Sequence, residues 1–475
     1  MNDELSALDA TAQAELVRRG EVRPVELVEA AISRIERLNP VLQAVITPLF
    51  EEARAQALSP ELPDGPFRGV PFLLKDWFCH TADDPYYEGM PVLRELGWRE
   101  QTDTYLATKF RAAGLVFLGK TNIGSYTRSR TPAFPTTRNP WDPERPPAGS
   151  SGGSAAAVAS GMVPAAHGND GTGSLRIPAS ACGLVGLKAS RGRISFGPPG
   201  PTRSPGLLGH IIEGVLTRSV HDTAAFLDVM AGPMPGDLWG APPPTRPYWD
   251  EVGAAPGRLR VGLLTRDLIL DAPVGDDCVR VVREVGELLE SLGHVVEEDA
   301  YPLALTGPTG LGEALCIVTA SGTAATLDAW AERIGRPLAP EDVDSGTWAR
   351  AELSRSYDAV QVQAAVRRLE SGVMRAPEWW ASGYDLLVTP TVQQPTPRFE
   401  DLTEDRVGSV FGLFTMPWSI TGQPAISLPL GRSTDELPIG VQLVADYARE
   451  DLLIRVASQL EEARPWSGLV PPIHA

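Results

Sequence analysis

The sequence predicts an α/β fold with a twisted mixed β-sheet core flanked by helices on both faces. Two observations lead to this prediction. Short apolar runs of strand length alternate with amphipathic stretches of helical length along the whole chain. The chain has 475 residues, of which 43% are hydrophobic, so it can bury a large core as ordinary globular proteins do.

The chain opens with two predicted helices. Apolar residues recur at helical spacing over 11–19 and 24–38, and Pro24 suits a first helical position. Small residues alternate with glycine over 162–188, which favours loop and tightly packed strand over helix. The other predicted elements are strands at 69–74, 115–118, 259–264, 294–298 and 384–389, helices at 104–113, 154–161 and 277–292, a mostly helical region at about 311–380, and two strands within 422–444.

The whole chain, residues 1–475, is predicted to form a single domain. We expect a catalytic core at about 60–240 and a region at 258–400 that completes the sheet and covers the substrate pocket. Sequence rich in proline and glycine separates the two at 232–257. Because strands are predicted on both sides, this stretch is either a domain boundary or a link within one sheet.

The charge of the chain excludes several classes of partner. The formal net charge is −18 and the pI is near 4.9, which disfavours both nucleic acid and anionic membranes. The first residues show neither the basic region nor the apolar run of a secretory signal, and apolar runs such as 115–119 are far shorter than a membrane span. We therefore expect no nucleic-acid or membrane partner.

Cysteine and histidine spacing argues against disulfides and metal sites. Cys79, Cys182, Cys278 and Cys316 form no CxxC pair, and the six histidines show no HxxxH or HExxH spacing. Unpaired cysteines fit a reducing cytoplasm. We expect a cytoplasmic protein without a metal or another cofactor.

Lysine is rare in this chain. Only four of the 42 basic residues are lysines: Lys75, Lys109, Lys120 and Lys188. A retained lysine can supply what arginine cannot, an amine that loses its proton when it is buried. Lys109 is expected to be a routine charge on a helix surface.

Serine and glycine motifs indicate nucleophilic catalysis. A serine hydroxyl needs a base, and the neutral amine of Lys75, at the end of a predicted buried strand, can serve. The attacked carbonyl develops a negative oxygen that needs fixed N–H donors. The backbone N–H groups of Gly171, Thr172, Gly173 and Ser174 suit that task, because glycines let successive N–H groups converge.

The run at Gly149–Ser154 is also compatible with other interpretations. Such a run can be a flexible linker or a phosphate cradle, but it opens directly into an alanine-rich helix and lacks GxxxxGK[ST]. Its first five residues also satisfy G-x-S-x-G, the nucleophile elbow, with Ser151 as the nucleophile. An elbow should follow a buried strand, whereas Pro146 and Pro147 precede this run. The elbow also needs an Asp and a His downstream, and the available His210, His221 and His294 have no distinctive setting.

The motifs together resemble the amidase signature family. They occur in the family's order: GVPFLLKD at 69–76, GKTN at 119–122, GSSGGS at 149–154, NDGTGSLRIP at 169–178, and GQPAISLPLG at 422–431 with PIGVQ at 438–442. The resemblance implies a Ser-cisSer-Lys triad with Ser174 as nucleophile, Ser150 as the middle serine and Lys75 as the base. Asp170, Arg176 and Ser151 are assigned to supporting the catalytic loop.

Within the family, segments such as HGNDGTGSLRIPAS and GLKASRGRIS are similar to the amidases that act on nylon oligomers. This implies hydrolysis of a small uncharged amide, cyclic or linear 6-aminohexanoate oligomers included, through an acyl-enzyme and without cofactor. Cys316 then falls in the substrate pocket, Trp418 is a second pocket candidate, and a homodimer is expected from the family.

Three positions that depart from family patterns bear on these expectations. Thr172 stands where glycine is usual, which keeps the N–H donor but narrows the pocket, and Ala148 replaces another common glycine. Ile177 stands where tRNA amidotransferase subunits usually carry glutamine. The alternatives left open are an amidotransferase subunit that releases ammonia to a partner, and an esterase or aryl-acylamidase of the same family.

Overall fold

The protein is described by a computed structural model over residues 4–124, 132–267, 272–302, 310–402 and 412–475. Its strands are β1 (Val45–Pro48), β2 (Pro71–Lys75), β3 (Val116–Thr121), β4 (Ala165–Asp170), β5 (Val185–Lys188), β6 (Ile212–Thr217), β7 (Arg260–Leu263), β8 (Val295–Glu298), β9 (Leu386–Pro390), β10 (Ala425–Arg432) and β11 (Pro438–Ala445).

Helices cover much of the remaining described chain. They are α1 (Ala10–Arg18), α2 (Pro24–Leu42), α3 (Phe50–Leu58), α4 (Pro91–Glu95), α5 (Tyr105–Ala112), α6 (Gly152–Ala159), α7 (Arg176–Cys182), α8 (Val220–Met230), α9 (Asp276–Ser291), α10 (Leu311–Ile334), α11 (Ser345–Ser354), α12 (Ala359–Arg375), α13 (Pro377–Ala381), α14 (Met416–Thr421) and α15 (Glu450–Ala463).

The described strands form one mixed sheet in the order β1-β3-β2-β4-β6-β5-β10-β11-β9-β7-β8. Strand β2 pairs in parallel with both β3 and β4, and strand β7 pairs in parallel with both β9 and β8. All strand pairs from β4 to β9 along the sheet are antiparallel. The first six strands in the sequence, β1 to β6, form one half of the sheet, and the last five, β7 to β11, form the other half. The two halves meet where β5 pairs with β10. The predicted fold class, an α/β protein with a mixed sheet, is confirmed.

Alternation along the strands places a core on each face of the sheet. In β2, Phe72 and Leu74 join one apolar cluster, which also receives side chains of α1, α5, α8, α9 and α15. Leu73 points the other way and joins a second cluster with α2, α3, α6 and α7. Leu387 of β9 belongs to a third cluster with α10, α12 and α14. Because successive residues of a strand face opposite sides of the sheet, a single strand contributes side chains to the apolar clusters on both faces.

Several helices begin where the sequence carries a capping residue. Asp9, Thr104 and Ser219 each accept a backbone N–H from the first turn of the helix that follows, and Pro24 is the first residue of α2. These caps fix the starts of α1, α5 and α8, which pack on the same face of the sheet.

Three sequence predictions about local structure were wrong or incomplete. The small-residue stretch at 162–188 contains β4 and β5 but also the helix α7, because its alanines and serines pack closely enough to form a buried helix. The strands β1 and β6 were missed, and so were the helices α3, α4, α8, α14 and α15. Lys109 is not a routine surface charge, since its amine donates to three carbonyls at the end of α8, those of Met230, Ala231 and Gly232.

One helix in the described part of the chain, α10, is long and apolar enough to cross a membrane by length and composition alone. Its mean hydropathy over the tested window is 1.2, and 39% of that window is buried in the protein. Its sequence has no continuous run of large apolar residues, because alanine, glycine and threonine supply much of its length. Helices α11 and α12 pack against it.

Candidate active site

Lys75, the last residue of β2, lies at the centre of a fully buried polar site. Its Nζ is 2.8 Å from Ser150 Oγ, 3.0 Å from Ser151 Oγ and 2.6 Å from Asn169 Oδ1. All three partners are uncharged oxygens. The amine therefore has hydrogen bonds but no carboxylate in direct contact.

Burial changes the acidity of this amine. It lowers the pKa of Lys75 from 10.5 to about 7, because the charged form loses its hydration, and the negative charges of Glu213 and Asp170 offset only part of that loss. A base whose pKa is close to neutrality is deprotonated in a useful fraction of molecules at neutral pH. The arrangement therefore suits Lys75 to accept a proton.

The serines of the run at 149–154 have different settings. The peptide bond between Gly149 and Ser150 is cis, and Ser150 forms an isolated β-bridge with Gly124. Ser151 precedes the first residue of α6 and is completely buried, and its Oγ donates to the Asn169 carbonyl at 3.3 Å. No strand lies directly before this run, since residues 132–148 contain none. A buried Ser151 in this setting argues against the nucleophile-elbow interpretation.

Ser174 ends the glycine loop that connects β4 to α7, and its side chain is nearly buried. Among the described residues, Ser174 Oγ makes no hydrogen bond, to Ser150 or to any other group. The structure thus joins Lys75 to Ser150 by a hydrogen bond, whereas the described residues show no hydrogen bond between Ser150 and Ser174. The backbone N–H groups of 171–174 likewise donate no hydrogen bond within the described chain.

A buried ion pair holds the ends of this loop. Arg176 donates to both carboxylate oxygens of Asp170, from Nε at 2.9 Å and from Nη2 at 2.8 Å, and both side chains are inaccessible to solvent. Burial opposes ionisation of Asp170, but the charge and hydrogen bonds of Arg176 outweigh it and hold the pKa of Asp170 below its usual value. Arg176 also donates to the Thr415 carbonyl and to Gln442 Oε1, both at 2.8 Å.

The segment before α14 packs against the glycine loop at 171–174. Thr415 Oγ1 donates to the Thr172 carbonyl at 2.6 Å. Gly173 has φ +139°, and an added Cβ there would collide with the Thr415 hydroxyl and with Ile177. Glycine at 173 is therefore required by both the backbone conformation and the space. Thr172, the departure from the family pattern, keeps its Oγ1 buried and unpartnered among the described residues.

Sequence reasoning missed three residues that support Lys75. Asn169 contacts its amine, and His167 Nδ1 accepts its backbone N–H at 3.2 Å. His167 Nε2 in turn lies 3.0 Å from Glu213 Oε2, so the ring carries its proton on Nε2 and donates it to the carboxylate. His167 and Asn169 are two residues apart on β4 and share one face. Only the parallel pairing of β2 with β4 brings them to Lys75, and no local pattern shows that pairing.

The two predicted pocket residues lie on neighbouring helices. Cys316 is exposed on α10 with a free thiol. Trp418 is buried on α14, one turn after Thr415, and its indole N–H has no partner among the described residues. Helices α10 and α14 share an apolar cluster, which includes Leu315 and Trp418. Their roles toward a substrate stay predictions.

The polar site holds serine, lysine and amide groups rather than metal ligands. Within the ranges that the structure describes, no group of three or more His, Cys, Asp or Glu side chains is placed to hold a metal ion. The chemistry that the geometry supports is proton transfer from a serine hydroxyl to an amine beside a loop of free N–H donors.

Comparison with known proteins agrees with this geometry. The sequence profile of the amidase family matches residues 26–454. The chain belongs to the amidase family. This amidase is an amidohydrolase acting on carbon–nitrogen bonds, and the resemblance read from the motifs is confirmed.

Individual relatives extend the similarity over the whole length. The amidase is 44% identical to the 6-aminohexanoate-cyclic-dimer hydrolase of Pseudomonas sp. (strain NK87), over 98% of this chain and 96% of that protein. A solved 6-aminohexanoate cyclic dimer hydrolase complexed with substrate superposes with a TM-score of 0.93 at 42% identity, covering 99% of this chain and 100% of that one. A bacterial aryl acylamidase superposes with a TM-score of 0.89 at 26% identity, covering 98% and 99% of the two chains.

Proposed function

We propose that this amidase hydrolyses small uncharged amides, cyclic or linear 6-aminohexanoate oligomers in particular, through Lys75, Ser150 and Ser174. The observation that carries the proposal is the 2.8 Å contact between the Lys75 amine and Ser150 Oγ inside a buried site. The similarity to 6-aminohexanoate-cyclic-dimer hydrolases over nearly the whole chain supports the substrate class.

The proton path runs from nucleophile to base through Ser150. The neutral Lys75 amine takes the proton of Ser150 while Ser150 takes that of Ser174, and Ser174 Oγ bonds to the amide carbon. Substrate is expected to bring Ser174 Oγ within reach of Ser150, because catalytic hydrogen bonds are often long in unliganded enzymes. The proton then passes to the amide nitrogen, the amine leaves, and water hydrolyses the acyl-enzyme by the same path.

Backbone donors of the glycine loop are proposed to stabilise the oxyanion. The N–H groups of Gly171, Thr172, Gly173 and Ser174 are free of hydrogen bonds within the described chain, so they can meet the negative oxygen as it forms. The supports of the loop are Ser151 and the Asp170–Arg176 pair, whose hydrogen bonds keep its shape when charge develops.

The experiment for this proposal is labelling by a fluorophosphonate probe followed by an amide panel. Wild-type enzyme should be labelled on Ser174 and should hydrolyse the 6-aminohexanoate cyclic dimer or its linear oligomers. Ser174→Ala should melt as the wild type does, lose labelling and lose turnover by about 10⁴-fold or more. Ser151→Ala is the matched control and should still be labelled. A dead Ser151→Ala beside an active Ser174→Ala would replace the proposal with the nucleophile elbow.

The panel also decides between the proposed substrates and a second candidate, aryl-acylamide hydrolysis. The structural match to an aryl acylamidase favours that candidate. Rapid hydrolysis of anilides with none of 6-aminohexanoate oligomers would establish it. Hydrolysis of any simple amide by the purified chain alone would exclude an obligate amidotransferase subunit.

We also propose that the enzyme is a cytoplasmic homodimer built from one domain per chain. The continuous sheet across 45–445 supports the single domain, with a catalytic core at about 60–240 and a covering region at 258–400. All four cysteines are unpaired, which fits a reducing compartment. The mass in solution tests the assembly, since one chain is 50.9 kDa and a dimer has twice that mass.

A further inference from the structure

Asn169 makes the shortest contact of the Lys75 amine. Its Oδ1 lies 2.6 Å from Lys75 Nζ, closer than either serine hydroxyl. The side chain is nearly inaccessible to solvent. Sequence motifs assign no role to this position, although it lies directly before Asp170.

The orientation of the Asn169 amide is determined by its other end. Its Nδ2 donates to the Trp77 carbonyl at 3.2 Å. A carbonyl only accepts, so Nδ2 must face Trp77 and Oδ1 must face the lysine. Asn169 also donates its backbone N–H to Ser151 Oγ at 3.4 Å, which ties the same strand to the serine run.

Counting donors and acceptors shows what this orientation does. A neutral amine has two N–H donors and one lone pair, and Lys75 Nζ has three partners. Asn169 Oδ1 can only accept, so it takes one N–H. Ser151 uses its own hydroxyl proton toward the Asn169 carbonyl, so it accepts the second N–H. The remaining lone pair then faces Ser150, whose hydroxyl donates to it.

We propose that Asn169 is a positioning residue that turns the lone pair of Lys75 toward Ser150 and, being uncharged, leaves the amine free to lose its proton. The inference rests on the proposed function and deepens it, because it names a group that acts through the base. A carboxylate of the same shape would accept the same hydrogen bond but would hold the amine as an ammonium.

The test compares the rate of Ser174 labelling by fluorophosphonate between pH 5 and pH 10. In wild type the rate should rise with a midpoint near the Lys75 pKa of about 7. In Asn169→Asp the midpoint should move up by about one to three pH units, with the labelling rate restored at high pH. In Asn169→Ala the rate should fall about tenfold or more at every pH, with no upward shift of the midpoint.

Asn39→Asp is the matched control. Asn39 bonds to the backbone of Ala44 and Val45 and is not a partner of the Lys75 amine in the described chain, so the Asn39→Asp profile should coincide with that of wild type. An Asn169→Asp midpoint equal to the wild-type one, or no recovery at high pH in a variant that melts normally, would overturn the inference. If Asn169→Asp fails to fold, Asn169→Ala decides, and a wild-type rate in that variant overturns it as well.

The outcome separates the inference from the proposed function. A wild-type protein that the probe does not label at Ser174, or a Lys75→Met variant labelled at the normal rate, would refute the triad itself. Labelling that needs Lys75 but ignores both Asn169 changes would refute only the positioning role.

Discussion

Lys75 and Arg176 are two completely buried basic side chains that differ in the charge of their hydrogen-bond partners. Their main partners, Asn169 and Asp170, are consecutive residues of β4. Because successive strand residues face opposite sides, the same strand offers a neutral amide on one face and a carboxylate on the other. The amine beside the amide has a pKa lowered to about 7, whereas Arg176 is paired with Asp170 through two hydrogen bonds.

The hydrogen-bond partner, rather than burial alone, determines whether a buried basic side chain can lose its proton. Burial penalises both cations, and only a carboxylate in direct contact compensates for it. Lysine suits the uncompensated position because its amine can give up the proton, which a guanidinium cannot. Lysine at 75 and arginine at 176 are therefore not interchangeable.

The largest expected effect comes from changing Lys75, the buried base that has no carboxylate partner. Lys75→Met should lower turnover by about 10³-fold or more, because the proton acceptor is gone and no other amine contacts Ser150 in the described chain. Steady-state kinetics with the preferred amide measures it. Substantial turnover in this variant would remove Lys75 as the base.

Lys75→Met should also change how the free energy of unfolding depends on pH, and the direction follows from the lowered pKa of Lys75. The pKa of Lys75 is lower in the folded protein than its usual 10.5, so the unfolded wild type binds more protons between pH 7 and pH 10.5. Wild-type stability therefore gains from this group as pH rises through that window. The free energy of unfolding of Lys75→Met, relative to wild type, should fall from pH 7 to pH 10.

A change at Asp170, the carboxylate partner of Arg176, is expected to lower the stability of the fold. Asp170→Asn leaves Arg176 buried without its carboxylate and should lower the free energy of unfolding by about 3–5 kcal/mol. Denaturant unfolding at pH 7 measures the loss. The control is Asp328→Asn, which breaks an exposed ion pair with Arg355 and should cost less than about 1 kcal/mol. Equal losses in the two variants would contradict the comparison.

The smallest effect is a shift of the pH profile. Glu213 is the leading charge that raises the pKa of Lys75, so Glu213→Gln should lower this pKa and move the acid limb of kcat/KM to lower pH, by less than about one unit. Glu450→Gln is the matched control. Glu213 pairs with the buried Arg203 as Glu450 pairs with the buried Arg193, but Glu450 is not among the charges that shift the pKa of Lys75. A shift to higher pH in Glu213→Gln would contradict the assignment.

The sequence predicted the fold class and the family well, because both depend on patterns that are local or ordered along the chain. Apolar runs of strand length marked β2 and β3, and the motif around Lys75 lies where β2 ends. The motifs also drew attention to Asp170 and Arg176, which do form a buried pair around the catalytic loop. The catalytic roles assigned to the triad stay predictions.

What the sequence could not show depends on distances across the sheet. His167 and Asn169 reach Lys75 only because β2 and β4 are parallel neighbours, with 92 and 94 residues of separation in the chain. Helix α7 was missed because it is short, contains Pro178 and has glycines on both sides, whereas its packing against α6 and β5 stabilises it. The hydrogen bond expected between Ser150 and Ser174 is not made among the described residues, because it depends on side-chain positions that the sequence does not show.

The ties of Arg176 to Thr415 and Gln442 span 239 and 266 residues of sequence. During synthesis, the amino-terminal motifs leave the ribosome long before these acceptors exist. A nascent or truncated chain that ends before Thr415 carries every residue of the lysine–serine arrangement but lacks the braces on the loop beside it. We therefore expect the catalytic loop to gain its full set of hydrogen bonds only when almost the whole polypeptide has been made.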